Sequence, residues 1–215
     1  MIAKTERIVD FYLLAKNTVI GEGFSEEIEW QGRLKFVEVD ERSFLREAAW
    51  VVLSAGMREA VVRRKFEAFS GAFYHWLSAR QIVINASGCK RAASAVFNHP
   101  KKISSIVEIA QVVDCTGFEV LKRRIGSEGV DFLQALPYIG PISSYHLAKN
   151  IGLDVVKPDR HLLRISALAG YSNPLDMCQT ISSIVGDRPA VVDLVVWRYA
   201  TLNPGYRHFL NLYLH

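Results

Sequence analysis

The chain has 215 residues, of which half are hydrophobic and 22% are charged, and this composition excludes disordered, low-complexity and fibrous proteins. Its formal charge is only +4, its most apolar uncharged segment (residues 48–57) is far shorter than the roughly 20 residues of a membrane-spanning helix, and its charged N-terminus predicts no export signal. The three cysteines have no C-x-x-C spacing, which excludes the common zinc and iron–sulfur sites and predicts reduced thiols in a cytoplasmic protein, nucleoid-associated if bacterial.

Helical periodicity dominates the first third of the chain. Residues 5–16 predict a first helix, whereas residues 28–39 show some alternation and predict a loop with at most one extended segment. Ser43 is the predicted N-cap of a helix that is apolar on nearly all sides and ends before Gly56, so we expect this helix to be buried. An amphipathic helix is then predicted over residues 58–77.

The remainder of the chain is also predicted to be helical. Thr116–Glu119 has the pattern of a capping box, and Pro174 and Pro189 each stand in the first turn of a predicted helix. The predicted helices here cover residues 86–97, 104–113, 116–125, 129–136, 142–151, 158–169, 174–185 and 189–201. Because no internal repeat is visible and the connections are short, the sequence predicts an all-α fold of about ten helices.

The segment Leu136-Pro-Tyr-Ile-Gly140 lies between two short predicted helices and carries most of the information about function. Pro137 ends the first helix because proline cannot donate a backbone hydrogen bond, and Gly140 allows a tight turn and a close approach to a ligand. The second helix then begins with unpaired N–H groups, which bind anions such as phosphate. The segment predicts a backbone phosphate clamp that reads no base sequence, with an ordinary αα-hairpin as the alternative.

An aspartate follows this hairpin at the start of another predicted helix. Asp159 lies nineteen residues after Gly140, and Pro158 fixes the direction in which the chain enters the helix. The positive end of the helix keeps a carboxylate at this position ionised, so it is available for chemistry. A plain N-cap aspartate is the alternative interpretation.

Together, Leu136–Gly140 and Val156–Asp159 resemble the motif of the helix-hairpin-helix (HhH-GPD) superfamily of DNA glycosylases, in order and in spacing. The apolar helix at residues 44–55, which ends in Leu-Ser-Ala, is similar to the buried helix of that family. The segment at residues 193–199 is similar to the final helix of its domain. The resemblance covers about residues 40–205 of the chain.

The resemblance implies a two-lobe helical fold. Residues 1–42 and 186–215 are expected to form one lobe, and residues 43–185 are expected to form the other, with the helix-hairpin-helix at about residues 127–151. It also implies that Asp159 stabilises the oxocarbenium-like sugar formed when an N-glycosidic bond breaks, and that it helps to activate the attacking water.

Further site residues follow from the same resemblance. Because the target base must leave the stack, we expect a wedge loop that fills the vacated space, and it is formed by Gly56, Met57 and Arg58. Aromatic rings stack on flipped bases, although each of the four candidates is also a candidate core residue: Trp50, Tyr145, Trp197 and Tyr199. The DNA-binding hairpin comprises Pro137, Tyr138, Ile139, Gly140, Ile142 and Ser143. The candidate phosphate contacts, with solvated surface as the alternative, are Lys122, Arg123, Arg124, Lys157 and Arg160.

Three positions depart from the family pattern. Tyr138 replaces the usual first glycine of the hairpin, and a tyrosine argues against a turn geometry that needs a positive φ at this place. Ile142 stands where bifunctional members carry a lysine nucleophile, and a hydrocarbon side chain forms no Schiff base. The four-cysteine iron–sulfur cluster of other branches has no counterpart among three cysteines. No cofactor is therefore expected, apart from a monovalent cation that the resemblance allows at the hairpin carbonyl groups.

The sequence therefore predicts a monomeric, monofunctional DNA glycosylase of base excision repair that acts on double-stranded DNA and not at a membrane. An alkylated purine is the first candidate lesion, and an oxidised guanine or a deaminated base remains open. Two alternatives also remain open. The first is a non-catalytic helix-hairpin-helix DNA-binding protein that uses Asp159 only as a cap, and the second is an unrelated helical enzyme or interaction module.

Overall fold

The computed structural model describes the backbone of residues 2–214 and the side chains of residues 5–214. These residues form fourteen α-helices and no β-strand, which confirms the predicted all-α class. The helices are α1 (Ile2–Gly21), α2 (Ser25–Arg33), α3 (Glu41–Ser54), α4 (Glu59–Gly71), α5 (Ala79–Ile84), α6 (Ala86–Val96), α7 (Pro100–Thr116), α8 (Phe118–Glu128), α9 (Val130–Gln134), α10 (Pro141–Asn150), α11 (Arg160–Leu168), α12 (Pro174–Val185), α13 (Pro189–Leu202) and α14 (Tyr206–Leu214).

The helices divide into two compact units. The central unit (Lys35–Ile151) contains α3 to α10, and the terminal unit (Met1–Leu34 with Gly152–His215) contains α1, α2 and α11 to α14. The predicted lobes grouped residues 152–185 with the hairpin, whereas α11 and α12 pack against α13 in the terminal unit. The physical reason is that their apolar faces, which include Ile165 and Ile181, belong to the hydrophobic core of that unit.

The buried helix predicted after Ser43 is α3, and it is the core helix of the central unit. Its buried side chains include Phe44, Val51 and Val52, and it packs against α4, α7 and α10. The N-cap is Asp40 rather than Ser43, because the Asp40 carboxylate accepts a hydrogen bond of 2.8 Å from the Ser43 N–H. A hydrogen bond from the Ser43 side chain, together with this one from its N–H, holds the pKa of Asp40 below its usual value.

Helix α13 is the core helix of the terminal unit. Nine of its residues are buried, and it packs against α1, α2, α11 and α12. Its one buried guanidinium, that of Arg198, pairs with Glu27 on α2 at 2.6 Å. A buried arginine needs such a partner, so this ion pair ties α2 to the core.

Residues 25–33 form α2, so the loop predicted at residues 28–39 is wrong over its first half. Acidic side chains occupy the first turn of α2 and Arg33 occupies the last, where both complement the helix dipole. Arg33 also pairs with Glu29 at 2.6 Å across one turn. Only two of the nine residues are buried, and so short a helix offers sequence analysis few positions from which to detect its period.

Two other predicted helix boundaries are also corrected. Helix α7 continues through Thr116, and Gly117, with a φ of 79°, separates it from α8, so the predicted capping box does not form. The amphipathic helix predicted to reach residue 77 ends at Gly71, and the chain then makes a left-handed turn over Tyr74–Trp76.

No helix within residues 2–214 has both the length and the apolar run needed to cross a bilayer.

Candidate functional site

The hairpin joins α9 to α10 in the central unit, and its left-handed residue is a tyrosine. Leu136 and Ile139 are buried on either side of the turn, and the Ile139 N–H donates to the Leu136 carbonyl at 3.1 Å. Tyr138 has a φ of 66°, a conformation that costs a non-glycine residue about 1–3 kcal/mol. Gly140 has a φ of −98° and a ψ of −175°, which any residue adopts. The expectation that Gly140 supplies the tight turn is therefore wrong.

Three side chains at the start of α7 contact the ring of Tyr138. The ammonium nitrogens of Lys101 and Lys102 lie 5.9 and 5.8 Å from the ring centroid. The imidazole of His99 approaches edge-on, with 6.4 Å between centroids. Cations near an aromatic face are attracted to it, so these contacts offset part of the backbone strain at Tyr138.

Helix α10 begins with two open backbone donors. Its first residue is Pro141, which has no N–H, and its first helical hydrogen bond runs from Ser144 N–H to the Gly140 carbonyl at 2.9 Å. The Ser143 hydroxyl oxygen accepts the Gly140 N–H at 2.7 Å. In the described part of the chain, the N–H groups of Ile142 and Ser143 have no acceptor. Two such groups at the positive end of a helix can bind a phosphate oxygen.

Replacing Gly140 by Ala is expected to leave folding intact and to weaken DNA binding. A methyl group at Gly140 would lie 3.9 Å from the Ser143 Oγ, which is ordinary contact, so we expect the free energy of unfolding to change by about 0.5 kcal/mol or less. The same methyl group would stand between the hairpin backbone and a phosphate, and we expect about tenfold weaker duplex binding. Denaturant unfolding and fluorescence anisotropy measure the two effects.

Gly88→Ala is the matched control, because a methyl group at Gly88 on α6 meets no atom within 4 Å. This variant should bind duplex DNA as the wild type does. An unchanged affinity in Gly140→Ala would mean that the hairpin backbone does not approach DNA at this residue.

The predicted wedge loop follows directly from α3. Gly56 has a φ of 70°, Met57 is half-buried, and the side chain of Arg58, at the N-cap of α4, is exposed. An exposed basic side chain beside a half-buried methionine leaves this loop able to contact DNA. The role of the three residues in base flipping stays a prediction.

Lys102 fixes the end of α3 from which this loop extends. It is 1% exposed, and its Nζ donates to the carbonyls of Leu53 and Ala55, both at 2.6 Å. Burial lowers the pKa of its ammonium group. The available signal was helical period, because Lys102 shares one face of α7 with Ile106 and Ala110. The Lys102 side chain therefore contacts both the ring of the hairpin residue Tyr138 and the backbone at the start of the wedge loop.

The far end of α10 is tied to α3 by a buried polar pair. The Asn150 amide donates to Oε2 of Glu47 at 2.9 Å, and Arg46 donates to Oε1 of the same carboxylate at 2.5 Å. Burial raises the pKa of Glu47, since it disfavours the charged form. These bonds hold the second hairpin helix against the core helix of the central unit.

The four candidate pocket aromatics lie in different units. Trp50 and Tyr145 are half-buried in the central unit, and Trp50 packs edge-on against Phe66 with 5.0 Å between centroids. In the terminal unit, Trp197 is half-buried beneath the guanidinium of Arg198. Tyr199 is buried and packs edge-on against Phe11 with 5.3 Å between centroids, as a core residue does.

The basic triplet on α8 has a mainly structural environment. Lys122 donates to the carbonyls of Val37 and Val39 at 2.8 and 2.6 Å, and so holds the turn that precedes α3. Arg124 pairs with Glu128 at 2.9 Å. Arg123 is exposed and has no such partner among the described residues, so it is the member best placed to contact phosphate.

Asp159 is the N-cap of α11, as its position after Pro158 predicts. Its Oδ1 accepts hydrogen bonds from the N–H groups of His161 and Leu162 at 2.8 and 3.0 Å. No described residue donates a hydrogen bond to Oδ2, and the side chain is only half-buried. The carboxylate is therefore fixed through one oxygen and open to a ligand through the other.

The neighbours of Asp159 include one imidazole and two basic side chains. His161 contacts the Tyr206 hydroxyl through Nδ1 at 3.2 Å. Burial lowers the pKa of His161, which favours the neutral form of the ring. Arg160 is exposed and donates to Nε2 of His161 at 3.3 Å, and Lys157 is half-buried. The predicted phosphate contacts of Lys157 and Arg160 stay predictions.

The chain was compared with family models, curated proteins and solved structures. No family model, no curated protein and no solved structure matches the chain significantly. Within the described residues, no group of three or more His, Cys, Asp and Glu side chains is placed to hold a metal ion. The predicted monovalent cation at the hairpin stays a prediction.

Proposed function

We propose that this protein is a monofunctional DNA glycosylase of the helix-hairpin-helix superfamily, which hydrolyses the N-glycosidic bond of a damaged base in duplex DNA. The observation that carries the proposal is the hydrogen bonding of the Asp159 carboxylate. One oxygen caps α11, and the other has no donor among the described residues. A fixed carboxylate with one open oxygen is suited to stabilise a developing oxocarbenium ion and to orient water.

The distribution of charge supports DNA as the partner. The central unit carries 16 Lys and Arg residues against 11 Asp and Glu residues, a formal charge of +5. The terminal unit carries 10 against 11, a formal charge of −1. The excess positive charge therefore lies in the unit that contains the hairpin with its two open N–H donors. Positive charge and backbone donors both address phosphates, and neither reads base sequence.

The proposed reaction is a displacement at C1′ of the damaged nucleotide. The bond between C1′ and the base nitrogen breaks, and the base leaves with the electron pair of that bond and takes up a proton. Water adds its oxygen to C1′ and gives a proton to Asp159. Ile142 has no amine, so no covalent enzyme–sugar intermediate forms at the hairpin and the abasic strand stays intact.

A panel of duplexes that each carry one lesion tests this proposal. Alkylated purines, an oxidised guanine and deaminated bases are included, and free base and alkali-labile sites are measured separately. We expect release from at least one lesion, with strand breaks only after alkali or an added lyase. An adduct that borohydride traps in the wild type and that is lost in Lys157→Ala would show instead that Lys157 is a nucleophile.

The second candidate function is a non-catalytic DNA-binding protein with the same hairpin. The capping bonds of Oδ1 are the specific observation in its favour, because they give Asp159 a structural role without any chemistry. Salt-sensitive duplex binding without release of base from any lesion in the panel would decide for this alternative.

A further inference from the structure

A buried carboxylate of the terminal unit binds the segment that leads to Asp159. Asp193 lies on α13 and is 1% exposed, and its Oδ2 accepts a hydrogen bond from the Lys157 N–H at 2.5 Å. The segment that it holds has no regular secondary structure between Gly152 and Asp159. A buried carboxylate that binds a backbone N–H fixes the position of that peptide group.

The same peptide segment continues to Asp159. The carbonyl of Lys157 accepts the Asp159 N–H at 2.8 Å, and only Pro158, whose ring restricts φ, lies between them. Asp159 then caps α11 through Oδ1. A continuous chain of hydrogen bonds therefore runs from the core helix α13, through the backbone N–H and carbonyl groups of Lys157, to the backbone of Asp159.

Two contacts at the beginning of this segment lie farther from Asp159. Asp154 accepts the Ala190 N–H at 3.1 Å and pairs with Arg188 at 3.7 Å, which fixes the beginning of the segment. Asp193 holds its end. A loss of the Asp154 contacts would move residues several positions away, whereas a loss of the Asp193 contact would move the neighbour of Pro158.

We propose that Asp193 is a positioning residue, which sets the place of the Asp159 carboxylate through the Lys157 peptide group. This inference rests on the proposed glycosylase function and adds to it a residue that does not touch DNA. The role requires a hydrogen-bond acceptor at residue 193 rather than a negative charge. Asparagine should therefore replace the aspartate, and alanine should not.

The test compares Asp193→Ala, Asp193→Asn and the control Glu27→Gln in the full chain. Glu27 pairs with Arg198 on the same helix α13, so its replacement perturbs that helix without touching residues 157–159. In Asp193→Ala we expect about 100-fold slower single-turnover base release, because a carboxylate displaced by about 1 Å is badly aligned. In Asp193→Asn and Glu27→Gln we expect release within about fivefold of the wild type. Duplex affinity should change much less than base release in all three, since the hairpin and three of the five candidate phosphate contacts belong to the other unit.

Amide hydrogen exchange gives a readout that needs no activity. Exchange of residues 155–159 should be faster in Asp193→Ala and unchanged in Asp193→Asn and Glu27→Gln. If Asp193→Ala does not fold, Asp193→Ser, which has a shorter side chain, takes its place with the same expectations.

Two results would overturn the inference while the proposed function stands. Wild-type release rates in Asp193→Ala together with faster exchange would make Asp193 a purely structural residue. Asp193→Asn as slow as Asp193→Ala would show that the charge, and not the acceptor, matters. A wild-type protein that releases no base from any lesion overturns the proposed function itself, and unchanged exchange in Asp193→Ala then also excludes the hydrogen-bonded tie.

Discussion

Asp159→Asn is expected to lower base release by at least about 1000-fold, because an amide supplies no negative charge to the oxocarbenium ion and no base for water. The amide oxygen can still accept the N–H groups of His161 and Leu162, so α11 should keep its cap. Duplex affinity should stay the same or become tighter, since one negative charge near the phosphates is removed. Single-turnover release, anisotropy and thermal unfolding measure the three quantities.

The control for this prediction is a second N-cap in the same unit. Asn173 caps α12 by accepting the Asp176 N–H at 2.9 Å, and Asn173→Ala should destabilise the protein by about 1 kcal/mol without slowing release. Release near the wild-type rate in Asp159→Asn would reduce Asp159 to a helix cap. The non-catalytic interpretation would then be the better one.

Short-range patterns predicted the elements that depend on neighbouring residues. Asp159 caps its helix because proline before it and N–H groups after it lie within three positions, and the sequence shows all of them. The hairpin was located in the same way from Pro137 and Gly140. The left-handed conformation at Tyr138 was not predicted, because the tyrosine that replaces the family's glycine argued against a positive φ, yet the structure has it there.

Long-range contacts were not predictable from the sequence in the same way. Lys122 and Lys102 look like solvated charges, yet each donates to backbone carbonyls 47 or more residues away along the chain. The grouping of residues 152–185 with the two ends of the chain likewise depends on which apolar faces meet. Periodicity states that a face is buried but not which partner covers it.

The second large expected effect is on stability. Lys102→Met should lower the free energy of unfolding by about 2–3 kcal/mol, because it leaves the carbonyls of Leu53 and Ala55 without their donor while it keeps the apolar stem of the side chain. Relief of the buried charge limits the loss, since an ammonium group in this environment has a lowered pKa. Urea unfolding and thermal unfolding measure the change in stability. The midpoint of thermal unfolding should fall by about 4–12 °C.

Lys101→Met is the matched control, because it removes the neighbouring charge from an exposed position that lies as close to the Tyr138 ring. It should change stability by about 0.5 kcal/mol or less. If the two variants are equally stable, the Lys102 ammonium does not cap α3 in solution. If Lys102→Met alone is destabilised, the end of α3 depends on this cation, and the loop at residues 56–58 should then show faster amide exchange in Lys102→Met than in Lys101→Met. Faster exchange confined to that loop and the hairpin would establish that a single buried lysine supports both the wedge loop and the hairpin of the central unit.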